Sequence, residues 1–416
     1  MKNVLVIGSG GREHAVCYAM SKSKKVGKLF CVPGNAGIAQ IATCKSLSVF
    51  DFDGIYEYVK EQGIDLVFVT PDDPLAKGMV DYFTERGVRA FGPTASAARL
   101  ESSKAFSKEF MTRHGIPTAA SKIFDSADEA RKYIKNATFP IVIKADGLAL
   151  GKGVLICADF DEADKAVDEL MISKAFGEAG SRVLIEQFLV GREVTVMAFS
   201  DGKNISLMPS SQDHKRAFDG DKGLNTGGMG AFAPSPYFTE AHKAEFLEKI
   251  ALPTIKGLRE DGIEFRGVIY FGLMMTKDGI KVIEYNSRLG DPETEAVLPL
   301  LKTDIMDIVD ACIDGTLDKV NVEWENKVGF TVVIASGGYP SNVIKGYEIT
   351  IGKLDNVILF HAGNAIKDGK IVTSGGRVFE LSGVADNMDK ARELVYGQID
   401  KISFKDSRYR TDIGKV

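Results

Sequence analysis

The stretch "KADGLALGKGV", residues 144–154, directly follows the apolar run "PIVI" in a chain of 416 residues. Its glycines allow the backbone to close over a phosphate chain with the N–H groups exposed. It is not a P-loop, because only three residues separate Gly147 from Gly151 and because Gly153 replaces the hydroxyl residue that would bind Mg²⁺. We therefore predict a strand that ends at Lys144 and a loop that covers phosphates, with a mobile surface hairpin as the alternative.

Two further lysines accompany this loop. Lys104 lies well before it, on a predicted amphipathic helix over residues 101–120 that ends near Gly115, and Lys152 lies at its far end. Lysines from separate elements can neutralise a triphosphate between them while the glycines close over it. The pattern predicts a clamp for a nucleoside triphosphate.

The segment "VLIEQFLVGRE", residues 183–193, predicts a place for a nucleoside. The backbone at the end of its strand could pair with the edge of an adenine, and the ring could lie beside Phe188. Glu193 could accept hydrogen bonds from two ribose hydroxyls. A solvated acidic residue after a turn is the simpler alternative, so this prediction depends on the lysine clamp nearby.

The segment "KVIEYNSRLGDPE", residues 281–293, carries the strongest metal signal. Strand alternation puts Glu284, Asn286 and Arg288 on one face. A carboxylate and an amide oxygen two residues apart are hard ligands suited to Mg²⁺ on phosphate oxygens. Arg288 could bind a carboxylate or phosphate bidentately. The alternative is a polar face turned to solvent.

Residues 1–100 alternate short β-branched runs with helical patterns, which predicts a doubly wound parallel sheet. The first turn, "GSGG" at 8–11, precedes a helix that starts near Arg12, so we predict an anion at the helix N-terminus. A dinucleotide fingerprint fails, because Glu13 stands in place of the third glycine and Pro33 lies where an acidic residue is expected. A bare tight turn remains the alternative.

The segment "QDHKRAFDGDKGLNTGGMGAF", residues 212–232, is too rich in charge and glycine for a core. Its length is unusual for a connection without function. Glycines near its end would allow close approach of the backbone to a ligand. His214 has no second histidine at a matching spacing, so we do not predict a zinc site.

Composition narrows the class of protein. The formal net charge of −5 argues against a general binder of nucleic acid or membrane surfaces, which need a dominant basic field. The five cysteines are scattered and form no C-x-x-C pair, which is typical of reduced thiols. No run approaches the length of a membrane-spanning helix. We predict a cytoplasmic protein without an anchor.

These segments, in this order, resemble the ATP-grasp superfamily and, within it, the phosphoribosylamine–glycine ligase family. The matching blocks are "VLVIGSGGREHA", "PGNAG", "SKAFSKEFMTRHGIPTA", "KADGLALGKGV", "QDHKRAFDGDKGLNTGGMGAF", "EYNSRLGDPETEAVLPLL", "ASGGYP", "SGGRV" and "YRTDIG". They extend over nearly the whole chain. The resemblance implies an α/β protein with an N-terminal doubly wound parallel sheet, a central two-part ATP-grasp fold and a small C-terminal α+β domain.

The resemblance also implies domain bounds and an activity. The expected parts are a Rossmann-like domain for the substrate phosphate over 1–101, a main ATP-grasp lobe over 102–122 and 188–322, a lid lobe over 123–187 and a C-terminal domain over 323–416. The implied reaction joins glycine to 5-phosphoribosylamine through a glycyl phosphate and gives glycinamide ribonucleotide, ADP and phosphate in purine biosynthesis. The implied co-substrate is ATP, and the implied metal is Mg²⁺ or Mn²⁺. The implied state is a monomer that binds neither nucleic acid nor membrane.

The family's roles carry over to matching positions. By resemblance the ATP contacts are Lys104, Lys144, Gly147, Gly151, Lys152, Gly153, Glu186, Phe188, Leu189 and Glu193. The metal ligands are Glu284 and Asn286, and the catalytic residues are Arg288, Lys144 and Asp213. The substrate contacts are Gly10, Gly11 and Arg12 at the 5-phosphate, with Asn225, Asp291 and Pro292. Gly272 stands where many relatives have a further acidic metal ligand, so the resemblance leaves the metal shell incomplete.

Three alternatives stay open. Another ATP-grasp ligase could join a different carboxylate and amine, but the turn at 8–12 and the loop at 213–230 favour the glycine ligase. A nucleotide-binding module without turnover is disfavoured because Glu284 and Asn286 are present together with the lysines. A nicotinamide oxidoreductase is disfavoured by Glu13.

Overall fold

The computed structural model describes residues 1–147, 153–173 and 180–415. The predicted phosphate loop falls partly outside this range: Gly147 and Gly153 are described, whereas Gly151 and Lys152 lie outside the described residues.

The N-terminal part is a five-stranded parallel sheet with strand order β3-β2-β1-β4-β5. Its strands are β1 (Lys2–Gly8), β2 (Val26–Pro33), β3 (Thr43–Cys44), β4 (Leu66–Val69) and β5 (Arg89–Phe91). Its helices are α1 (Gly11–Ser21), α2 (Phe52–Gln62), α3 (Asp72–Ala76) and α4 (Met79–Glu85). The central strand β1 is a continuous apolar run because both of its faces pack against apolar clusters. The predicted doubly wound sheet is confirmed.

Two helices connect this sheet to the lid lobe, α5 (Ala95–Ser102) and α6 (Lys104–Arg113). The prediction of one helix over 101–120 is wrong in its bounds. Ser103 is extended, with φ −133°, and its side chain accepts a hydrogen bond from the backbone N–H of Phe106. Because Ser103 caps α6 in this way, Lys104 becomes the first residue of that helix.

The part expected to form the lid lobe contains a four-stranded antiparallel sheet with strand order β6-β9-β7-β8. Its strands are β6 (Ser121–Phe124), β7 (Ile141–Ala145), β8 (Val154–Cys157) and β9 (Val183–Gln187). Its helices are α7 (Ala127–Ile134) and α8 (Phe160–Val167), the latter continued by a π-helical turn over Asp168–Ile172. Lys144 lies on β7 and Glu186 on β9, and these strands are direct neighbours.

The main lobe contains a second four-stranded antiparallel sheet, in the order β11-β10-β16-β17. Its strands are β10 (Arg192–Asp201), β11 (Ile205–Leu207), β16 (Arg266–Thr276) and β17 (Gly279–Asn286). Its helices are α9 (Glu240–Phe246), α10 (Leu252–Glu260), α11 (Glu293–Val297) and α12 (Ile305–Asp314). Apolar residues of α6, α9 and α10 pack on this sheet and form one core cluster.

The C-terminal sheet has the order β12-β15-β18-β23-β20 and is antiparallel. Its strands are β12 (Gln212–Asp213), β15 (Gly230–Ala233), β18 (Val328–Ala335), β20 (Ile358–His361) and β23 (Arg377–Ala385), and α13 (Met388–Ile399) packs on them. Three two-stranded ribbons accompany it: β13 (Arg216–Phe218) with β14 (Lys222–Asn225), β19 (Thr350–Ile351) with β24 (Ile402–Ser403), and β21 (Asn364–Lys367) with β22 (Lys370–Thr373). Strands from the 212–232 segment thus belong to the same sheet as the last ninety residues.

All five cysteines are free thiols, as predicted. Of the described helices, none is long and apolar enough to cross a membrane.

Candidate active site

A buried carboxylate lies between two lysines where the lid lobe meets the main lobe. Glu186 Oε2 is 2.7 Å from Lys144 Nζ, and Glu186 Oε1 is 2.6 Å from Lys108 Nζ. All three side chains are about 5% exposed or less. Burial would raise the pKa of Glu186, but the two ammonium groups hold it below its ordinary value. The group is therefore a fixed ion triad with one excess positive charge.

Lys104 projects from the first turn of α6 toward the phosphate loop. Its Nζ donates a hydrogen bond of 3.0 Å to the carbonyl of Gly147. Burial lowers the pKa of Lys104, an effect that Glu284 opposes and Lys144 reinforces. The structure thus brings Lys104, Lys144 and Glu284 into one electrostatic environment. Phe188 and Leu189 follow β9 and are half-buried.

A β-bulge shapes the strand that carries the predicted metal ligands. Gly272 pairs with Glu284 across β16 and β17, whereas Leu273 pairs with Val282, so Ile283 is the extra residue. The carbonyl of Ile283 accepts a hydrogen bond of 3.2 Å from Lys144 Nζ. The bulge therefore ties the metal strand to the lysine of the neighbouring lobe.

The donor set on β17 fits a divalent cation. Glu284 and Asn286 offer a carboxylate and an amide oxygen, the hard ligands that Mg²⁺ prefers. Burial would raise the pKa of Glu284, but Lys215, Lys144 and Lys104 hold it below its ordinary value, so the ionised ligand form is favoured. Over the described ranges, no three Asp, Glu, His or Cys side chains form a further metal cluster. A cation here would complete its shell with water and phosphate oxygens.

Arg288 lies just beyond the end of β17 and is held on several sides. Its Nη2 is 2.8 Å from Glu101 Oε1 and 3.4 Å from Asn286 Oδ1. Its Nη1 donates to the carbonyl of Leu289 at 3.2 Å, and Arg12 Nη1 donates to the same carbonyl at 3.3 Å. The predicted catalytic arginine and the predicted phosphate-binding arginine therefore converge on one backbone oxygen.

The N-terminus of α1 already contacts a carboxylate. Glu13 Oε2 accepts a hydrogen bond of 2.5 Å from the N–H of Gly10, and Glu13 Oε1 is 2.7 Å from Arg12 Nε. Glu13 therefore satisfies two of the donors predicted to hold a phosphate. A phosphate at this turn would bind beside Glu13 or displace it.

Two buried carboxylates leave no space for a side chain at Gly11. A Cβ at this position would overlap the Glu380 carboxylate and lie 2.9 Å from Glu295 Oε1. Both glutamates are fully buried, and no donor from another described residue lies within hydrogen-bonding reach of their oxygens. Burial, together with Asp291, raises the pKa of each well above its ordinary value.

The 212–232 segment brings Asp213 and Lys215 close to Glu193 and Glu284. Lys215 Nζ is 2.8 Å from Glu193 Oε2, so the predicted ribose-binding carboxylate is engaged with a lysine. Burial raises the pKa of Asp213 to about 7; Lys215 opposes this shift, and Glu293 and Glu193 add to it. Burial would lower the pKa of Lys215, but Asp213 and Glu193 raise it well above its ordinary value.

The remaining predicted substrate residues are Asp291, Pro292 and Asn225. Arg377 Nη1 is 2.8 Å from Asp291 Oδ1 and donates to the carbonyl of Gly227 at 2.7 Å. Gly228 lies against the ring of Pro292, with φ +114°, a region that favours glycine. Asn225 is exposed at the end of β14.

Several neighbours of these residues were not predicted. Lys108 follows Lys104 by four positions on α6, and that i, i+4 spacing on one helix face was the available signal. Glu101 and Lys215 had no comparable signal, because their partners are distant in the sequence. Glu293 was also not predicted; its Oε1 accepts a 2.8 Å hydrogen bond from the buried Tyr270 hydroxyl.

Comparison with known proteins identifies the class of protein to which this chain belongs. The ATP-grasp (A) domain model of phosphoribosylglycinamide synthetase matches residues 102–294, and the N and C domain models match 2–101 and 329–416. Biotin carboxylase of Campylobacter jejuni, solved as a β-γ-ATP complex, has a TM-score of 0.75 over 98% of this chain and 92% of its own, at 17% identity. That likeness concerns the fold alone. The fold is that of an ATP-grasp protein, a class that binds ATP and uses a divalent metal.

Two relatives narrow the class to one family. Phosphoribosylamine–glycine ligase of Caldanaerobacter subterraneus subsp. tengcongensis is 46% identical over 411 residues, which is 99% of both chains. The crystal structure of phosphoribosylamine–glycine ligase from Thermotoga maritima gives a TM-score of 0.86 over 99% of this chain and 100% of that chain, at 36% identity. The chain belongs to the phosphoribosylglycinamide synthetase family of ATP-grasp ligases, which confirms the resemblance in its sequence.

Proposed function

We propose that this chain joins glycine to 5-phosphoribosylamine at the expense of ATP, giving glycinamide ribonucleotide, ADP and phosphate. One observation supports this assignment most strongly. Arg12 and Arg288 donate to the same carbonyl, that of Leu289, so a phosphate held at α1 would lie beside the strand that carries Glu284 and Asn286. A phosphorylated amine and a phosphoryl-transfer centre would then be adjacent.

The first step is transfer of the γ-phosphoryl group of ATP to the glycine carboxylate. The bond from the γ-phosphorus to the bridging oxygen breaks, a bond to a carboxylate oxygen forms, and ADP leaves. Lys104 and Lys144 neutralise phosphate charge, and Arg288 holds the glycine carboxylate against it. Glu284 and Asn286 would hold Mg²⁺ or Mn²⁺, which would supply charge neutralisation at the phosphate oxygens. The loop from Gly147 to Gly153 would cover the phosphates.

The second step is attack of the amine on the glycyl phosphate. The nitrogen forms a bond to the acyl carbon, and phosphate leaves with its bridging oxygen. The amine must lose a proton as it becomes an amide. Asp213 suits this role, because a carboxyl group with a pKa of about 7 is a competent proton acceptor near neutral pH. Exclusion of water protects the acyl phosphate from hydrolysis.

The remaining roles concern recognition. The backbone of Glu186, Phe188 and Leu189 would meet the adenine, and Glu193 would turn from Lys215 to the ribose hydroxyls. Gly10, Gly11 and Arg12 would hold the 5-phosphate, and the remaining contacts to the substrate would come from Asn225, Asp291 and Pro292. We further propose that the protein acts as a monomer in the cytoplasm.

The test is ADP release by the purified protein with Mg·ATP, glycine and freshly prepared phosphoribosylamine. ADP formation that requires both glycine and the amine is the expected result. Release that is independent of glycine, or that follows another carboxylate better, would reject this substrate assignment while leaving the nucleotide site in place.

A further inference from the structure

The β13–β14 ribbon projects from the sheet that carries Asp213. The ribbon spans Arg216–Phe218 and Lys222–Asn225, and β14 is fully exposed. Among the strands that the structure describes, none pairs with it as a third strand. A two-stranded ribbon is marginally stable alone in water, so it needs support from another part of the chain. This support bears on the site because the predicted substrate residue Asn225 ends β14 and the predicted catalytic residue Asp213 precedes the ribbon.

The C-terminal segment, residues 408–414, supplies that support. The buried guanidinium of Arg410, 2% exposed, donates from Nη1 to the carbonyl of Arg216 at 3.0 Å and to Asp221 Oδ1 at 2.8 Å. Its other two nitrogens form 2.7 and 2.8 Å bonds to the carboxylate of Asp412. One rigid side chain thus joins the ribbon to the end of the chain.

Further contacts surround this guanidinium. The N–H of Gly220 donates to Asp412 Oδ2 at 2.8 Å, and the N–H of Thr411 donates to Asp219 Oδ1 at 2.9 Å. The Thr411 hydroxyl also donates to Asp219. Arg408 Nη1 donates to the carbonyl of Ala217 at 3.1 Å. The turn of the ribbon is therefore bound along its length by residues almost two hundred positions later in the chain.

Residues of the C-terminal part also contact Gly227, which lies just after the ribbon. The hydroxyl of Tyr339 accepts a 2.9 Å hydrogen bond from the N–H of Gly227, and Arg377 donates to the Gly227 carbonyl. Both ends of the stretch from Arg216 to Gly227 are thus fixed by the C-terminal sheet and its final segment.

We propose that Arg410 is a positioning residue for the amine substrate: it fixes the β13–β14 ribbon, and through it Asn225 at the end of β14, without touching ATP. The proposal rests on the proposed function for the identity of the substrate. A structural role confined to folding would affect ATP and amine alike. A positioning role affects the amine selectively, because the lysine clamp and β17 receive no contact from residues 408–414 among the interactions described above.

The experiment compares Arg410→Met with the parent by steady-state kinetics and by hydrogen–deuterium exchange of residues 216–225. We expect the KM for phosphoribosylamine to rise by about tenfold, as for loss of a charged hydrogen-bond cluster, with the KM for ATP within about twofold. We also expect faster exchange in the ribbon. Asp386→Asn, which removes an exposed ion pair with Lys390 in the same domain, is the matched control and should leave both measurements unchanged.

Asp219→Ala is a second variant, for the case that Arg410→Met does not fold. It removes an exposed carboxylate that contacts Thr411 and leaves the buried Arg410 in place. It should raise the KM for the amine by about threefold and speed exchange of the same amides. Unchanged hydrogen–deuterium exchange in both variants would show that Arg410 does not fix the β13–β14 ribbon, whichever reaction the protein catalyses. Faster exchange with an unchanged KM for the amine, or equal rises for amine and ATP, would overturn the positioning role. If the parent enzyme does not use phosphoribosylamine, the proposed function is rejected. The exchange measurement would still show whether Arg410 fixes the ribbon.

Discussion

Lys108 and Lys144 bind the two oxygens of a single buried carboxylate, that of Glu186, at 2.6 and 2.7 Å. This arrangement leaves one uncompensated positive charge in a site shielded from water. A lone Lys144–Glu186 pair would be neutral and would attract phosphate weakly. Lys108 therefore lets Glu186 fix Lys144 while the group keeps the charge that a triphosphate needs.

Lys108→Met should reduce both stability and affinity for ATP. It removes the excess positive charge and leaves a neutral Lys144–Glu186 pair, and the loss of one hydrogen bond to a charged group costs about 2 kcal/mol. Urea unfolding measures the change in the free energy of unfolding, and initial rates measure the KM for ATP. Lys132→Met, on the exposed face of α7, is the control and should change neither.

The double variant Lys108→Met with Glu186→Gln separates charge from packing. Because it leaves the buried Lys144 without its carboxylate partner, it should be less stable than Lys108→Met alone. A double variant as stable as the single one would show that the charge of Glu186 does not hold Lys144.

Arg288→Ala should lower kcat by at least about 100-fold, the usual loss when one group that stabilises transition-state charge is removed. The substitution also leaves Glu101 without its ion pair, so the melting temperature must be measured beside the rate. Arg259→Ala, on the exposed end of α10, is the control. Activity within a few-fold of the parent would remove Arg288 from the mechanism.

Gly11→Ala should destabilise the protein and weaken binding of the amine substrate. The added methyl group would overlap the buried Glu380 carboxylate at the first residue of α1. Gly397→Ala is a matched control within α13, where an added Cβ meets nothing within 4 Å. Helix propensity predicts that the control gains up to about 1 kcal/mol. Equal melting temperatures for the two variants would contradict the packing at Gly11.

Glu380→Gln should stabilise the protein more at pH 8 than at pH 5. Burial raises the pKa of Glu380 well above the ordinary 4.5, so the folded state keeps a proton that the unfolded state loses above that pH. Stability of the parent therefore falls as the pH rises from about 4.5 through the raised pKa. Glutamine does not titrate, so the variant escapes this loss.

Thermal unfolding at both pH values provides the measurement, with Glu240→Gln, whose side chain is 91% exposed, as the control. The same difference between variant and parent at pH 5 and pH 8 would mean that Glu380 does not retain a proton in the folded state.

Local sequence patterns predicted most helices and strands but few of the contacts between them. Period-two alternation placed Glu284 and Asn286 on β17, because this pattern lies within one element. The loop predicted after Lys144 lies partly outside the described residues. The bulge at Ile283 escaped prediction, since it depends on the register with β16. The contact of Arg12 with the Leu289 carbonyl joins two domains, and no sequence periodicity encodes such a pairing.

The 212–232 segment gives a second example. Its charge and glycine content indicated a functional loop, yet the structure contains four short strands there, β12 to β15. Two of them pair within the C-terminal sheet, and the ribbon is held by Arg410. Short strands of this kind have little intrinsic preference and form because distant residues supply their partners.

The most direct test of the account follows the oxygen atoms of glycine. With ¹⁸O in the glycine carboxylate, formation of a glycyl phosphate predicts that one labelled oxygen leaves with each phosphate, because the acyl–oxygen bond breaks when the amine attacks. The ³¹P NMR isotope shift of the released phosphate measures this transfer. Labelled phosphate formed in step with ADP, and only when glycine and phosphoribosylamine are both present, is the predicted result. Unlabelled phosphate during the same turnover would contradict the proposed reaction.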